Sequence, residues 1–197
     1  MDINIKIGTV EKEPADVLVF FLYEETNTLS DALKYCDKSL NNAIAELIKK
    51  KEFTAKPGKT VIFPTYGKIP ARRIMLAGLG AKKNITSDKI RQAAGTTACA
   101  VRDMGVSGFT TVMDSLEAPP AASNNWYQAY GEGCFLSLYK FQRYKYTPPE
   151  EKKELKTCTF LLSNKEESKP AQEAIKHAHI ITDAVYLVRD LVNTPSQ

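Results

Sequence analysis

The sequence predicts an α/β protein: a three-layer sandwich with a mixed, mostly parallel sheet of about six strands and helices on both faces. Three observations predict it. Runs of strand length alternate along the chain with longer stretches of helical periodicity. Several of the strand-like runs are apolar throughout, as strands covered on both faces are. The 197 residues, 43% apolar and 25% charged, suit one folded domain able to bury roughly 70% of the surface of its unfolded chain.

Taken in order, Ile3, Ile5 and Ile7 alternate with polar residues as in a half-buried strand, and Asp16 to Tyr23 is a second, continuous apolar strand bounded by Pro14 and Glu24-Glu25. From Asp37 onward, Leu40, Ala43, Ile44, Leu47 and Ile48 recur at helical spacing, with Asp37 placed to cap the helix and Lys49-Lys50-Lys51 to complement its dipole. Two strands follow, Thr60 to Pro64 and Arg73 to Leu79, separated by the turn residues Gly67 and Pro70. Thr86-Ser87-Asp88 starts a helix with Ile90, Ala94, Thr97, Ala98 and Val101 on one face. The small residues Ala93, Ala94, Gly95 and Ala98 would let it approach the sheet closely.

Gly108 to Asp114 reads as a strand, and Pro119-Pro120 breaks the chain before a helix from about Ser123 to Tyr139. Gly131 and Gly133 lie inside that helix at about 1 kcal/mol each relative to alanine, so close packing is expected there. Thr157 to Leu162 is the sixth strand. Ala171, Ala174, Ile175, Ala178, Ile181, Val185, Val188 and Leu191 then draw one apolar stripe along a long final helix. The stretch from Thr147 to Lys156 reads as an exposed loop, too short to divide the chain into two domains.

Composition excludes several classes. The longest apolar run, Val17 to Tyr23, has seven residues, against the roughly 20 of a membrane helix. The amino terminus carries no basic segment leading into an apolar one, so a soluble intracellular chain is expected. The net charge of +4 falls short of the footprint of a dedicated nucleic-acid binder. Cys36, Cys99, Cys134 and Cys158 form no C-x-x-C pair, and the last three sit among apolar neighbours as buried free thiols would.

Chemistry-bearing residues are sparse. His177 and His179 lie two apart on a helix, about 200° around its axis, and cannot chelate one metal together. Glu24-Glu25, Glu150-Glu151 and Glu166-Glu167 read as surface charge, and Asp114 closes a predicted strand, where α/β proteins place ligands. Gly78-Leu79-Gly80 could offer backbone N–H groups to a phosphate, but Lys83 replaces the third glycine of a dinucleotide fingerprint, which favours a tight turn. The run Tyr139 to Tyr146 interleaves aromatic and cationic side chains as single-strand binders do, or closes a helix onto the core. No residue is assigned a catalytic, cofactor-binding or metal-binding role.

Four stretches, in order, resemble the amino-terminal domain of the cytosolic leucyl aminopeptidase family: Ala77-Gly78-Leu79-Gly80, Asp88 to Gly95 (DKIRQAAG), Gly131 to Lys145 (GEGCFLSLYKFQRYK), and Arg189 to Pro195 (RDLVNTP). The resemblance implies that residues 1–197 form a single macro-like domain, with 168–193 a long helix leading to a catalytic domain absent from the chain. The parent would hydrolyse amino-terminal residues from peptides in the cytoplasm, as a homo-hexamer, with two divalent metals, zinc or manganese, held by that other domain. No cofactor is expected in this chain, nucleic acid is an improbable partner, and no membrane is implied. The alternative is a free-standing macro-like module that binds ADP-ribose or a nucleotide through Gly78-Leu79-Gly80.

Overall fold

A computed structural model describes residues 1–117, 123–144, 148 and 153–195. The six expected strands are present: β1 (Asp2–Ile7), β2 (Leu18–Tyr23), β3 (Thr60–Pro64), β4 (Arg73–Gly80), β5 (Gly108–Val112) and β6 (Thr157–Leu162). They form one sheet in the order β1-β6-β5-β2-β4-β3. All pairings are parallel except β3–β4, the antiparallel pair on either side of Gly67 and Pro70. β2 is buried at every position, as expected of a central parallel strand with helices above and below.

Alternation along β2 divides the core in two. Val19, Phe21 and Tyr23, with Met75, Ala77 and Leu79 of β4, face α3 (Ser87–Asp103), α4 (Ser123–Leu138) and α5 (Ser168–Asn193). Leu18, Phe20 and Leu22, with Ile74 and Leu76, face α1 (Asp31–Ser39) and α2 (Ala43–Lys49). Fully buried Tyr130 of α4 stands edge-on to Phe21 and Phe160, with ring centroids 5.7 and 5.2 Å away. Its hydroxyl is 2.7 Å from Thr111 Oγ1 of β5, so the largest fully buried side chain keeps its polar end satisfied.

The structure corrects four details. The helix expected from Asp37 is two helices: α1 begins at Asp31 under a Ser30 cap, and α2 follows a break at Asn41-Asn42, both left-handed with φ of 57° and 61°. Asp37 lies inside α1, yet its buried carboxylate accepts from Ile44 N (2.8 Å) and Ala45 N (3.3 Å), capping α2 from the preceding helix. β5 stops at Val112 and passes into a 3-10 turn, Met113–Leu116, that holds Asp114. The small face of α3 receives α4 as well as the sheet: a Cβ on Gly133 would lie 2.1 Å from the Arg91 carbonyl oxygen, and one on Gly95 would lie 3.2 Å from Ser137 Cβ. Pro119-Pro120, Lys145, Tyr146 and most of the loop from Thr147, including Glu150-Glu151, lie outside the described residues.

Candidate functional site

In α/β folds the carboxyl edge of the sheet opens a ligand crevice where strands diverge at a change of direction in strand order. β2 and β5 pair only through Leu18↔Thr110 and Val19↔Thr111. Beyond that point Phe21 N donates to Ser115 Oγ (3.0 Å), and Ser115 in turn donates to Val112 O (2.5 Å). Tyr23 OH donates to Leu116 O (2.6 Å). The 3-10 turn thus fills the crevice with its own buried residues, Met113, Ser115 and Leu116. Asp114 points out from it, exposed.

Gly78-Leu79-Gly80 is equally committed. Gly78 N donates to Lys59 O and Gly80 N to Ala55 O, both at 2.9 Å. A Cβ on Gly78 would stand 2.3 Å from Lys56 O, and Gly80 has φ +82° with Pro57 Cγ 2.8 Å from the Cβ position. These glycines seat the segment 55–59, and neither N–H is free for a phosphate. The expected tight turn is corrected as well: all three residues lie within β4, where Gly78 and Gly80 pair with Leu22 and Tyr23 of β2, and only Gly80 at the strand end takes the positive φ.

The other motif stretches are also built into one another. Arg91 donates through Nε (2.9 Å) and Nη2 (2.7 Å) to Glu132 of α4, a side chain only 6% exposed that also accepts from Gln128 Nε2 (2.8 Å). Tyr139 and Arg189-Asp190, far apart in sequence, meet where α4 ends against α5. Tyr139 OH donates to Asp190 Oδ1 (2.6 Å), and the Arg189 guanidinium lies 5.2 Å from the Tyr139 ring centroid. Burial, and then the hydrogen bond to the Asp190 carboxylate, raise the Tyr139 phenol above its ordinary value. Of the aromatic–cationic run, Tyr139 joins this contact while Phe141 pairs with exposed Tyr144 (5.7 Å), so these rings do not form one continuous stacking platform.

A cleft of about 750 Å³ opens beside this contact, between α4, α5 and residues 153–156. Cations (Arg102, Lys140, Lys153) and carboxylates (Asp2, Asp183, Asp190) line it together, and it has no single electrostatic sense. His179 is half-buried, its ring 4.2 Å from that of Phe135, while His177 is exposed. Glu25 accepts from Lys82 N (3.0 Å), and Glu167 accepts from the Tyr127 hydroxyl, linking α4 to the start of α5.

A pair of divalent metals needs clustered carboxylate, imidazole or thiolate donors. Among the described residues no group of three or more such side chains comes together. Several of the carboxylates are held by cations instead, Glu13 by Lys6 and both Asp88 and Glu132 by Arg91. The described residues do not fit such a centre, and no chemical step is derived through one. All four cysteines are free, and no helix of the described residues is long and apolar enough to cross a membrane.

The last feature is α5 itself. Ala171, Ala174, Ile175, Ala178 and Thr182 are buried, and no residue beyond Thr182 is. Ile180, Leu187, Val188, Leu191 and Val192 are 59 to 79% exposed. The sequence stripe is therefore real in its first half and uncovered in its second, on a helix of 26 residues.

The sequence profile described as the cytosol aminopeptidase family, N-terminal domain, matches residues 17–148. The chain is 28% identical over 196 residues to a probable cytosol aminopeptidase of Sulfurihydrogenibium sp., covering 100% of the chain and 38% of that protein. It is 30% identical over 202 residues to one of Alkaliphilus oremlandii, covering 100% and 39%. In structure it resembles a tomato leucine aminopeptidase mutant (TM-score 0.80, 22% identity, 99% of this chain and 38% of that one). It also resembles the bottromycin maturation enzyme BotP (TM-score 0.62, 22% identity, 92% and 33%). The chain spans under two fifths of the length of these curated relatives.

Proposed function

Since the chain belongs to the cytosol aminopeptidase family as its N-terminal domain, we propose that it is the non-catalytic part of a metallo-aminopeptidase. The parent removes amino-terminal residues from peptides in the cytoplasm. Its two divalent metals, zinc or manganese, would be held by a second domain outside these 197 residues and would supply Lewis-acid chemistry there. Residues 168–193 connect the two domains, the macro-like body supports the catalytic one, and the parent assembles as a hexamer.

The observation that carries this reading is the uncovered distal half of α5. Contiguous exposed apolar surface marks an interface, and here it follows the last point at which the helix is buried in the body. Beyond Thr182, Ala184, Val185, Leu187, Val188, Leu191 and Val192 span about 160° of the helix circumference, taking 100° per residue. The stripe of an ordinary surface helix is nearer 100°. Such a helix is meant to be enclosed from more than one side.

The test is catalytic. The chain incubated with manganese or zinc leaves leucine amide intact, at the rate of a metal blank. Release of leucine above that blank overturns the assignment of the active centre to another domain.

A further inference from the structure

Beyond Thr182, α5 has no buried side chain, so something else must hold its last three turns against the body. Three side chains there are half-buried, Val185, Tyr186 and Arg189, and the two polar ones reach the end of α4. Tyr186 OH donates to Phe135 O, and Arg189 Nη1 donates to Leu136 O (3.2 Å). Both acceptors belong to the last four carbonyls of α4, which no N–H within that helix can satisfy. The Arg189 cation also sits at the negative end of the α4 dipole. Tyr139, the first residue after α4, closes the arrangement. Its ring lies 5.0 Å from Tyr186 and 5.2 Å from the Arg189 guanidinium, and its hydroxyl donates to Asp190.

We propose that Tyr139, Tyr186, Arg189 and Asp190 form a polar latch that sets the direction in which the distal half of α5 leaves the domain. These are positioning residues. They use one helix to cap another, and they leave the apolar arc of α5 facing outward. On the reading that α5 is a connector, the latch also fixes where the second domain is presented. The latch itself is a property of this chain and is testable in it.

Hydrogen exchange followed by mass spectrometry on the chain resolves the matter. In Arg189→Met and in Tyr139→Phe, amides of residues 184–193 are expected to exchange at least about tenfold faster than in the wild type. Amides of 171–182 and of β2 and β4 keep their protection. Asp190→Asn, which retains an acceptor for the Tyr139 hydroxyl, exchanges within about threefold of wild type, whereas Asp190→Ala behaves like Tyr139→Phe. Unchanged exchange in 184–193 overturns the latch. So does a loss spread evenly through α4 and the sheet, which would mark these residues as ordinary packing. The leucine amide assay tests the connector reading separately, so failure of one leaves the other standing.

Discussion

Gly133→Ala puts the packing of α3 on α4 to a quantitative test. Alanine in a helix interior is favoured over glycine by about 1 kcal/mol, so on local grounds the substitution should stabilise. The structure says otherwise: the added Cβ would stand 2.1 Å from Arg91 O, 2.9 Å from Arg91 C and 3.0 Å from Ala94 Cβ. Two of those atoms are backbone, which no rotamer change can move. Relief requires the helices to separate by about an ångström, since nonbonded carbon contacts settle near 3.5 Å. Arg91 and Glu132 bridge the same two helices, and the Gly95–Ser137 contact is nearly as close. Overpacking of this kind costs about 1–3 kcal/mol or more, and a rigid backbone contact belongs at the upper end. The net expectation is a loss of about 2 kcal/mol, or a drop of about 4–8 °C in Tm for a domain of this size.

Gly131→Ala is the internal control. There the Cβ meets Ile175 Cδ1 at 2.8 Å, the far end of a flexible side chain, and Ala178 Cβ at 3.1 Å, so its cost should stay within about 1 kcal/mol of zero. Thermal and urea unfolding of the three proteins by circular dichroism measures both. A Gly133→Ala protein at least as stable as the wild type, or less affected than Gly131→Ala, would refute the packing argument.

Two further predictions follow from buried polar groups. The Thr97 hydroxyl is fully buried and finds no hydrogen-bond partner among the described residues; Thr97→Val should stabilise by about 1 kcal/mol, read as a rise in urea midpoint, and a lower midpoint contradicts it. Burial, with a smaller contribution from Glu11, pushes the Cys36 thiol up to about 12, which leaves about one thiolate in ten thousand at pH 8. Burial raises Cys134 as well. Titration of native protein with a chromogenic disulfide at pH 8 should therefore label half-buried Cys99 first and the others only on unfolding; rapid labelling of Cys36 would disprove it.

All six strands were legible, because β2, β4 and β6 are apolar runs of strand length and β1 alternates. The start of α3 was legible too: Thr86 Oγ1 accepts from Lys89 N (3.3 Å), as its position before Ser87-Asp88 implied. Helix α1 was missed because its sequence, DALKYCDKS, has few apolar residues and offers a short buried face, Leu33, Cys36 and Asp37. A carboxylate reads as solvated until tertiary structure supplies the N–H groups of Ile44 and Ala45. The glycines of α4 signal close packing, but the partner of Gly133, Arg91 of α3 rather than the sheet, is set by tertiary structure. The motif stretches were visible as a resemblance, whereas their mutual contacts, Arg91 with Glu132 and Tyr139 with Arg189-Asp190, depend on separations of 41 to 51 residues that no local pattern encodes.

The placement of β1 has a consequence for synthesis. β1 is made before the other five strands of the sheet, yet its one neighbour there is β6, the latest of the six, with Asp2 set against Thr157 and Ile7 against Leu162. At the usual translation speed of about 5–20 residues per second, the amino-terminal strand waits roughly 8–30 s for its partner to be made. During that interval β2 and β4 can pair and α3 can pack, while the segment DINIKI stays an unpaired strand with alternating isoleucines. The outward-facing Asp2, Asn4 and Lys6 give that orphan strand a charged and polar side, which disfavours pairing with the wrong chain while the sheet is incomplete.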